Sequence, residues 1–314
     1  MTNKTVAIIP TKNAYLPEIV VYKDVFQDYK LDAQVIDKPN KEILEKFHII
    51  WMFMGIDVLG KNRNDQLLIH EYQSASVRPF PRLKDKIKKI INKYPDVRIF
   101  QNAQVQNSLG FNSNIHTYMR PMGFRKNIFV NENIYNKKIK YDFVYVGTLN
   151  KRKSTIKYLL DIGKAFVNRK ILIIGYVPDK IKRDLYKVNI NFYFTGTVSY
   201  DAVPKLLKEC EYGLNFVPDE YPYNQQDSTK LIEYSVLGLK IISTDNPIAR
   251  EFQQKYSVPI IFIKDFTKDL TEKKIFVDQF SDQFIKGELY DLSWEKIIHN
   301  LFIRDGLLEV IKKI

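Results

Sequence analysis

The chain has 314 residues, of which 45% are hydrophobic and 27% charged, and its formal net charge is +13. This length suits about two domains, and the hydrophobic content excludes a disordered chain. The single cysteine, Cys210, excludes an internal disulfide. A membrane-spanning helix needs about 20 apolar residues, whereas the longest apolar run, 49–56, has eight, and the apolar stretch 5–9 is too short for a signal peptide. We therefore expect a cytoplasmic protein, soluble or at most peripheral on the inner face of the plasma membrane.

The positive charge lies mainly in the first half of the chain. Residues 1–140 hold 23 lysines and arginines against 13 acidic residues, whereas residues 141–314 hold 26 against 23. The densest part is 82–98, with seven cations and two acids. Charge concentrated in one domain indicates an anionic partner for that domain.

Strands and helices alternate along the first half of the sequence. A buried parallel strand is apolar on both faces, and 48–55 shows this pattern. Alternation of this kind predicts a doubly wound parallel sheet. The predicted strands are 5–10, 33–37, 48–55, 66–71 and 97–101, and the predicted helices are 17–29, 41–46 and 82–93.

The same alternation restarts after a polar stretch, 122–140, which we interpret as the interdomain connection. The predicted strands of this half are 142–146, 170–174, 191–194, 212–217, 240–243 and 258–263, with helices at 154–166, 200–208 and 229–237. The sequence thus predicts an α/β fold of two doubly wound, Rossmann-like domains facing a cleft. We place the domains at 1–135 and 136–292, with 293–314 as C-terminal helices that return to the first domain.

The basic helix at 82–93 has apolar residues on one face, because Leu83, Ile87, Ile90 and Ile91 are spaced i, i+4, i+7 and i+8. A basic amphipathic helix can lie on an anionic membrane surface. A second interpretation is that the isoleucines pack into a core and the lysines are solvated, in a chain rich in Lys and Ile throughout. Nucleic-acid binding is a third, which we do not expect because no helix-turn-helix, zinc or RNA-recognition signature accompanies the charge.

Glycines and cations follow the first three strands of the second half. In open α/β sheets, ligands bind at the carboxyl ends of the strands, and glycine lets a ligand approach the backbone closely. The three successive cations at 151–153, after the first of these strands, can pair with a diphosphate. The residues expected at this edge are Gly147, Thr148, Lys151, Arg152, Lys153, Gly175, Gly196 and Thr197.

The segment QQDSTKLIEYSVLGLKIISTD combines a helix start with charged residues on one face. Asp227, Ser228 or Thr229 can cap the helix, whose free N–H groups and dipole favour a phosphate. Lys230 lies in the first turn, where a cation is unfavourable unless an anion is near. Glu233 lies one turn along on the same face and can accept two hydrogen bonds from a ribose diol. The alternative is an ordinary capped helix with a Lys–Glu pair.

This segment resembles the donor-site helix of the group 1 glycosyltransferases, which have the GT-B fold and act in bacterial polysaccharide assembly. FVYVGTLNKRK resembles that family's first C-domain strand with its phosphate loop. FTGTVSYDAVPKLLKECEYGLNFVP is similar to the part that holds the nucleobase, and LSWEKI to the helix leading back to the N-terminal domain. The resemblance covers about 141–300 and is only architectural over 1–140.

The resemblance implies transfer of a sugar, of the hexosyl type, from a nucleotide-diphosphate sugar to a saccharide acceptor. A lipid-linked acceptor, as on a polyprenyl carrier, would explain the positive charge of the first half. It places Lys151 or Lys153 on the diphosphate, helped by Arg152, and makes Ser228 and Thr229 donors to phosphate oxygens. No cofactor is expected, and no metal, because the sequence has no Asp-x-Asp pair and no His/Cys cluster.

It also implies that residues 147–148 line the cleft, that 196–197 lie near the base, that Lys230 adds charge and that Glu233 holds the ribose. One departure concerns the family's two glutamates separated by seven residues, since the first of them falls on Gln225 here. The loop after the first strand, PTKNAYLPE, lacks the family's glycine pair. Epimerase or hydrolase activity on the same two-domain plan is an alternative.

His70 and Glu71 are the candidate catalytic residues, because they end the predicted strand 66–71, where the acceptor side of the cleft is expected. Either can act as a general base or orient another group. A lone histidine is more often structural. Asp57, His116 and Arg120 are weaker candidates near the same cleft.

Overall fold

The computed structural model describes residues 4–314 apart from 12–15, 78, 112–113, 127–137, 151–152, 219 and 264–285. The chain divides into two compact units. The first comprises Met1–Arg125, Gln225–Asp227 and Asp291–Ile314, and the second comprises Lys126–Asn224 and Ser228–Tyr290. The predicted first domain ended at 135 and did not include Gln225–Asp227. No helix in the described ranges is long and apolar enough to cross a membrane.

The first unit contains a six-stranded sheet with the order β2-β1-β3-β4-β5-β6, in which all neighbouring strands are parallel. This is the doubly wound sheet that the sequence predicted. Its elements are β1 (Lys4–Ile9), α1 (Glu18–Asp28), β2 (Leu31–Val35), α2 (Lys41–Leu44), β3 (Ile49–Phe53), β4 (Leu67–Tyr72), α3 (Pro81–Ile91), β5 (Val97–Phe100), α4 (Ala103–Leu109), β6 (His116–Met119), α11 (Trp294–Phe302) and α12 (Leu307–Lys312).

The strand β3 is buried along its whole length, as parallel strands covered on both faces are. On one face, Trp51 packs against Phe26 of α1 and Phe302 of α11, with ring centroids 5.3 and 6.3 Å away. Lys4 Nζ donates to the carbonyl of Ile311 over 2.7 Å at the end of α12. The C-terminal helices therefore pack within the first unit, as the sequence predicted.

The second unit contains another parallel six-stranded sheet, with the order β12-β11-β10-β7-β8-β9. All six predicted strands of this half are present. Its elements are β7 (Tyr141–Val146), α5 (Lys153–Ala165), β8 (Ile171–Ile174), α6 (Asp179–Val188), β9 (Phe192–Gly196), α7 (Val203–Lys208), β10 (Cys210–Asn215), α8 (Thr229–Val236), β11 (Lys240–Thr244), α9 (Pro247–Tyr256), β12 (Ile260–Ile263) and α10 (Lys286–Tyr290).

One strand of the first unit, β6, was not predicted. It is a four-residue edge strand whose side chains are mostly exposed, so its sequence, HTYM, lacks the apolar run of a buried strand. His116 begins this strand and so lies at the amino edge of the sheet, opposite to the carboxyl edge where we expected it. The expectation was wrong because the strand had not been recognised.

The helix α3 has its apolar face exposed. Only Asp85 is buried along it, and its carboxylate accepts the backbone N–H of Ser76 over 3.0 Å. The apolar residues have large exposed fractions: Leu83 55%, Ile87 37%, Ile90 84% and Ile91 43%. The interpretation that these side chains pack into a core is wrong.

Polar contacts join the end of α3 to the loop after β3. Asn92, directly after α3, accepts the backbone N–H of Asp57 through its side-chain oxygen, over 3.0 Å. Asp57 in turn binds the buried His70 of β4. The helix is therefore held by polar contacts, and its apolar side chains are not needed in the core.

Candidate functional site

Three glycines meet at the carboxyl edge of the second sheet. Gly147 follows β7, Gly175 follows β8 and Gly196 ends β9, and these strands are neighbours in the sheet. The N–H of Gly147 donates to Ile174 over 2.8 Å, and the N–H of Gly175 donates to Gly196 over 2.9 Å. The structure thus brings together three residues that are far apart in the sequence.

Gly175 is required by this arrangement. Its φ is +135°, which L-residues rarely adopt, and a Cβ there would lie 2.6 Å from the carbonyl oxygen of Gly147. At Gly196, where φ is +71°, a Cβ would have no heavy atom of the described chain within 4 Å. The backbone beside Gly196 therefore has open space next to it. Thr148 and Thr197, which follow two of these glycines, are exposed.

The cationic loop after Gly147 contains the three residues expected to contact a diphosphate. Lys151 and Arg152 lie outside the described residues. Lys153 is exposed at the first position of α5. Their assignment to a diphosphate stays a prediction.

The helix α8 begins after Ser228, which is its N-cap residue, but no side chain caps it. The hydroxyl of Ser228 donates instead to Asn215 Oδ1 over 2.7 Å, at the end of β10. Asp227 belongs to the first unit, where its carboxylate accepts the amide of Asn102 over 2.9 Å. The predicted side-chain cap is therefore wrong for Ser228 and Asp227, because other side chains bind both groups. Thr229 is partly exposed at the first helical position.

Lys230 extends from the first turn of α8 towards the glycine edge. Its Nζ lies 5.7 Å from the ring centroid of Tyr145, within the range of a cation–π interaction. The hydroxyl of Tyr145 lies 3.2 Å from the place where a Cβ of Gly147 would be. That hydroxyl is buried without a hydrogen-bond partner in the described ranges, which is unusual for a buried polar group.

Glu233 lies one turn further along α8 and is 4% exposed. The hydroxyl of Tyr200 donates to its Oε1 over 2.8 Å. Burial raises the pKa of Glu233 to about 7, although the Tyr200 hydrogen bond and the Lys230 charge oppose this rise. The carboxyl group can therefore gain or lose its proton near neutral pH.

Sequence reasoning did not find Tyr200. The signal was present, since this tyrosine begins a short 3₁₀ turn, Tyr200–Ala202, just after Gly196 and Thr197. Its hydrogen bond to Glu233 connects the segment around Gly196, expected near the nucleobase, with α8, expected at the ribose and phosphates. Gly196, Tyr200, Lys230 and Glu233 thus all belong to the second unit.

His70 and Glu71 are adjacent in β4, so their side chains point to opposite faces of the sheet. His70 is fully buried, with its Nε2 2.9 Å from Asp57 Oδ2 and its Nδ1 3.3 Å from the Tyr72 hydroxyl. Burial lowers the pKa of His70, and the bond to Asp57 only partly opposes this. Burial raises the pKa of Asp57, but the His70 and Gly60 hydrogen bonds outweigh it and leave the pKa lowered. A neutral imidazole that donates to an ionised carboxylate fits both directions.

Glu71 is buried on the other face and has three internal partners. Its carboxylate accepts from Arg120 Nε over 2.5 Å, from Trp51 Nε1 over 2.8 Å and from the Tyr22 hydroxyl over 3.0 Å. Arg120 Nη2 also lies 3.3 Å from Glu18 Oε1. Burial raises the pKa of Glu18, and the Arg120 charge opposes that rise. Catalysis by His70 or Glu71 stays a prediction, and both side chains also have structural partners.

No protein-family model and no curated protein matches the chain. Solved structures match nearly all of it. AviGT4, a glycosyltransferase of avilamycin A biosynthesis, is 10% identical with a TM-score of 0.64, covering 95% of this chain and 96% of that one. HepE from Anabaena, solved with UDP and glucose, is 9% identical with a TM-score of 0.64, covering 99% and 100%. Sucrose-phosphate synthase from Thermosynechococcus elongatus is 12% identical with a TM-score of 0.66, covering 98% and 99%.

Likenesses at these low identities establish the fold. The chain has the GT-B fold of these glycosyltransferases, with two parallel six-stranded sheets flanked by helices. The predicted fold class is confirmed, and the resemblance to group 1 glycosyltransferases is confirmed at the level of the fold.

Proposed function

We propose that this protein is a glycosyltransferase that moves a sugar from a nucleotide-diphosphate sugar to a saccharide acceptor. The observation that carries the proposal is the carboxyl edge of the second sheet, where three glycines meet. Tyr145, beside Gly147, lies under Lys230, and Tyr200, which follows Gly196, binds Glu233. A glycine edge gives a ligand access to the backbone, and carboxyl edges of parallel sheets are where nucleotides bind. The fold shared with HepE, which was solved with UDP and glucose, supports the same assignment.

Each group has a part in this chemistry. Departure of the nucleotide diphosphate places negative charge on its phosphates, and preorganised cations and N–H groups stabilise that charge. Lys230 and the start of α8 would supply such groups, together with Ser228 and Thr229. Glu233 would accept hydrogen bonds from the ribose diol through its carboxylate, beside Tyr200.

We further propose that the transfer is of the hexosyl type and needs no metal. The cations Lys151, Arg152 and Lys153 would neutralise the diphosphate in the place of a divalent ion. The sequence supports this because it contains no Asp-x-Asp pair, the usual means of holding such an ion on a diphosphate.

The acceptor in this proposal is a lipid-linked saccharide of bacterial surface polysaccharide assembly, at an anionic membrane surface. The support is the charge of the first half, where 23 cations stand against 13 acids over residues 1–140. Basic surfaces are attracted to the anionic cytoplasmic leaflet.

The test is a thermal-shift screen of nucleoside diphosphates and sugar nucleotides. At about 100 times its Kd a ligand adds about 2.7 kcal/mol, which raises Tm by roughly 5–10 °C for units of this size. Lys230→Met and Glu233→Ala should each weaken nucleotide binding at least about tenfold, because each removes a charged partner. Lys164→Met, an exposed cation on α5, is the matched control and should bind like the parent chain.

If no nucleoside diphosphate raises Tm, the proposed donor site is wrong. If nucleotides bind, products formed from UDP-glucose with and without a panel of short saccharides separate transfer from its rivals. Sugar that appears only as free glucose or as an epimer, regardless of acceptor, would favour a hydrolase or epimerase.

A further inference from the structure

The outer face of α3 is an exposed apolar surface on a basic helix. We define the α3 outer face by the side chains of Phe80, Leu83, Ile87, Ile90, Ile91 and Tyr94, all of which are exposed. These six are among nine large hydrophobic side chains exposed between residues 56 and 94, out of twenty in the described chain. Scattered single apolar residues are normal on a surface, but a contiguous group marks an interaction site.

The exposed surface continues beside the end of α3. Lys93 donates its backbone N–H to the carbonyl of Asp57 over 3.0 Å, so the loop containing Asp57 lies against this end of the helix. Ile56 and Val58, on either side of Asp57, are exposed at 57% and 59%. The apolar surface is therefore wider than one helix.

The cations flank the apolar side chains on both sides. At about 100° per residue, the helical positions 83, 87, 90 and 91 fall within an arc of about 100°. Arg82, Lys86 and Lys89 are exposed along one border of that arc. Lys84 and Lys88 lie along the other border but are half-buried, and Lys84 Nζ donates to the carbonyl of Val77 over 3.1 Å. The one acid of the helix, Asp85, is buried on the inner side, where it accepts the Ser76 N–H.

We propose that the α3 outer face docks this protein on an anionic lipid bilayer. The apolar side chains enter the boundary between headgroups and acyl chains, and the exposed Arg82, Lys86 and Lys89 contact the lipid phosphates. This inference rests on the proposed function, because docking on a membrane serves an enzyme whose acceptor is lipid-linked. It adds the surface through which the protein would contact that membrane.

Charge complementarity favours a bilayer over the other occupants. A second copy docked through the same face would bring two sets of basic residues together around a symmetric interface, which like-charge repulsion opposes. A nucleic acid would satisfy the cations but would leave Ile90, which is 84% exposed, without an apolar environment. An anionic bilayer has negative headgroups for the cations at the border of this face. Its apolar layer, just below the headgroups, can accept the apolar side chains.

The inference is tested by cosedimentation of the full chain with vesicles of phosphatidylcholine alone or mixed with phosphatidylglycerol. We expect binding to the mixed vesicles only, weakening as salt rises. Leu83→Gln/Ile90→Gln should lower the partition coefficient roughly tenfold, through loss of apolar burial. Lys86→Glu/Lys89→Glu should lower it about 30-fold or more, since each cation near the surface contributes about fivefold.

Matched controls carry the same chemical changes elsewhere. Ile190→Gln alters an isoleucine of the second unit that is 81% exposed, and Lys23→Glu alters an exposed lysine of α1. Both should bind vesicles like the parent chain. All substituted side chains are exposed, so thermal unfolding should be unchanged and a loss of binding will not reflect misfolding.

Absence of binding to the mixed vesicles, or equal binding by the α3 variants and the parent chain, would overturn the proposal. A dimer in sedimentation equilibrium that Leu83→Gln/Ile90→Gln dissociates would also overturn it, in favour of a second copy. Binding of the mixed vesicles and of a DNA duplex with equal loss in both α3 variants would assign the face to polyanions in general and equally overturn it. Vesicle binding is measured without nucleotide and the nucleotide thermal shift without vesicles, so either proposal can fail alone.

Discussion

The polar groups at the carboxyl edges of the two sheets are arranged in opposite ways. In the first unit, Glu71, Arg120 and Glu18 are buried and bind one another and neighbouring aromatic side chains. In the second unit, the part of the edge formed by β7, β8 and β9 consists of partly exposed glycine backbone beside Lys230. A buried cluster held mostly by internal partners stabilises the fold, although Glu18 Oε2 is buried without a hydrogen-bond partner in the described ranges. An edge with backbone in place of side chains leaves room for a ligand. From this comparison we expect the first cluster to serve mainly the fold, and we propose the second edge as the binding site.

The largest effect is expected from Arg120→Met. Removing the guanidinium leaves two carboxylates buried without their cation, and breaking a buried pair in this way costs about 3–5 kcal/mol of the free energy of unfolding. The loss should be greater at pH 8 than at pH 5, because isolated buried carboxylates take up protons at the lower pH. Urea denaturation at both pH values measures it.

Arg304→Met is the control for this change, because Arg304 pairs with Asp305 at an exposed site. It should change stability by less than about 0.5 kcal/mol. If Arg120→Met were equally mild, the first cluster would not be structural and the comparison would lose its basis.

Gly175→Ala should have the next largest effect. A methyl group 2.6 Å from the carbonyl oxygen of Gly147 forces that backbone to move, and φ is unfavourable for alanine. We expect at least about 3 kcal/mol of lost stability and no nucleotide-induced thermal shift. Gly196→Ala meets no close atom and should cost only about 1 kcal/mol for its left-handed backbone.

The pair of variants sharpens the comparison because both add the same methyl group, and only the one at Gly175 meets a close atom. Denaturant midpoints for both give the stability difference. Should Gly196→Ala keep its stability and yet lose nucleotide binding, a ligand must pass close to that Cα. Equal stability losses in the two variants would contradict the close approach at Gly175.

Glu233→Gln should have a smaller effect than Arg120→Met or Gly175→Ala, and one that depends on pH. Because the folded pKa is about 7 and the ordinary value is 4.5, the folded state holds this proton more tightly than the unfolded chain. The group's contribution is therefore fully present below pH 4.5 and is lost as pH rises through 7. Glutamine carries no such charge, so the variant should gain about 2–3 kcal/mol relative to the parent chain between pH 4.5 and pH 8.

Chemical denaturation of both proteins at pH 4.5, 6 and 8 checks this gain. Glu211→Gln is the control, since Glu211 is partly exposed and pairs with Lys240. A stability difference between Glu233→Gln and the parent chain that does not vary with pH would mean that the carboxyl group is ionised and solvated throughout.

Much of the fold could be predicted from the sequence, because buried parallel strands are apolar runs. All six strands of the second sheet and four of the first carry that signal. The edge strands β2 and β6 do not, since most of their side chains are partly or fully exposed. The orientation of α3 could not be predicted either. The spacing of Leu83 and Ile87 defines an apolar face, but it does not determine whether that face packs in the core or is exposed to solvent.

The candidate site could be predicted only in part for a similar reason. Gly147, Lys230 and Glu233 were recognisable because each lies within a local pattern of a few residues. The bond between Glu71 and Arg120 joins positions 49 residues apart, and only the register of β4, β5 and β6 brings them together. The partners of His70, which bury it, depend in the same way on tertiary packing.

The carboxyl group held by Tyr200 has a consequence for energetics measured in solution. If a ribose diol binds the ionised form of Glu233, each nucleotide that binds at slightly acidic pH must expel a fraction of a proton into the buffer. The calorimetric heat of association will then vary with the ionisation enthalpy of the buffer, and affinity will climb with alkalinity until the pH has passed about 7.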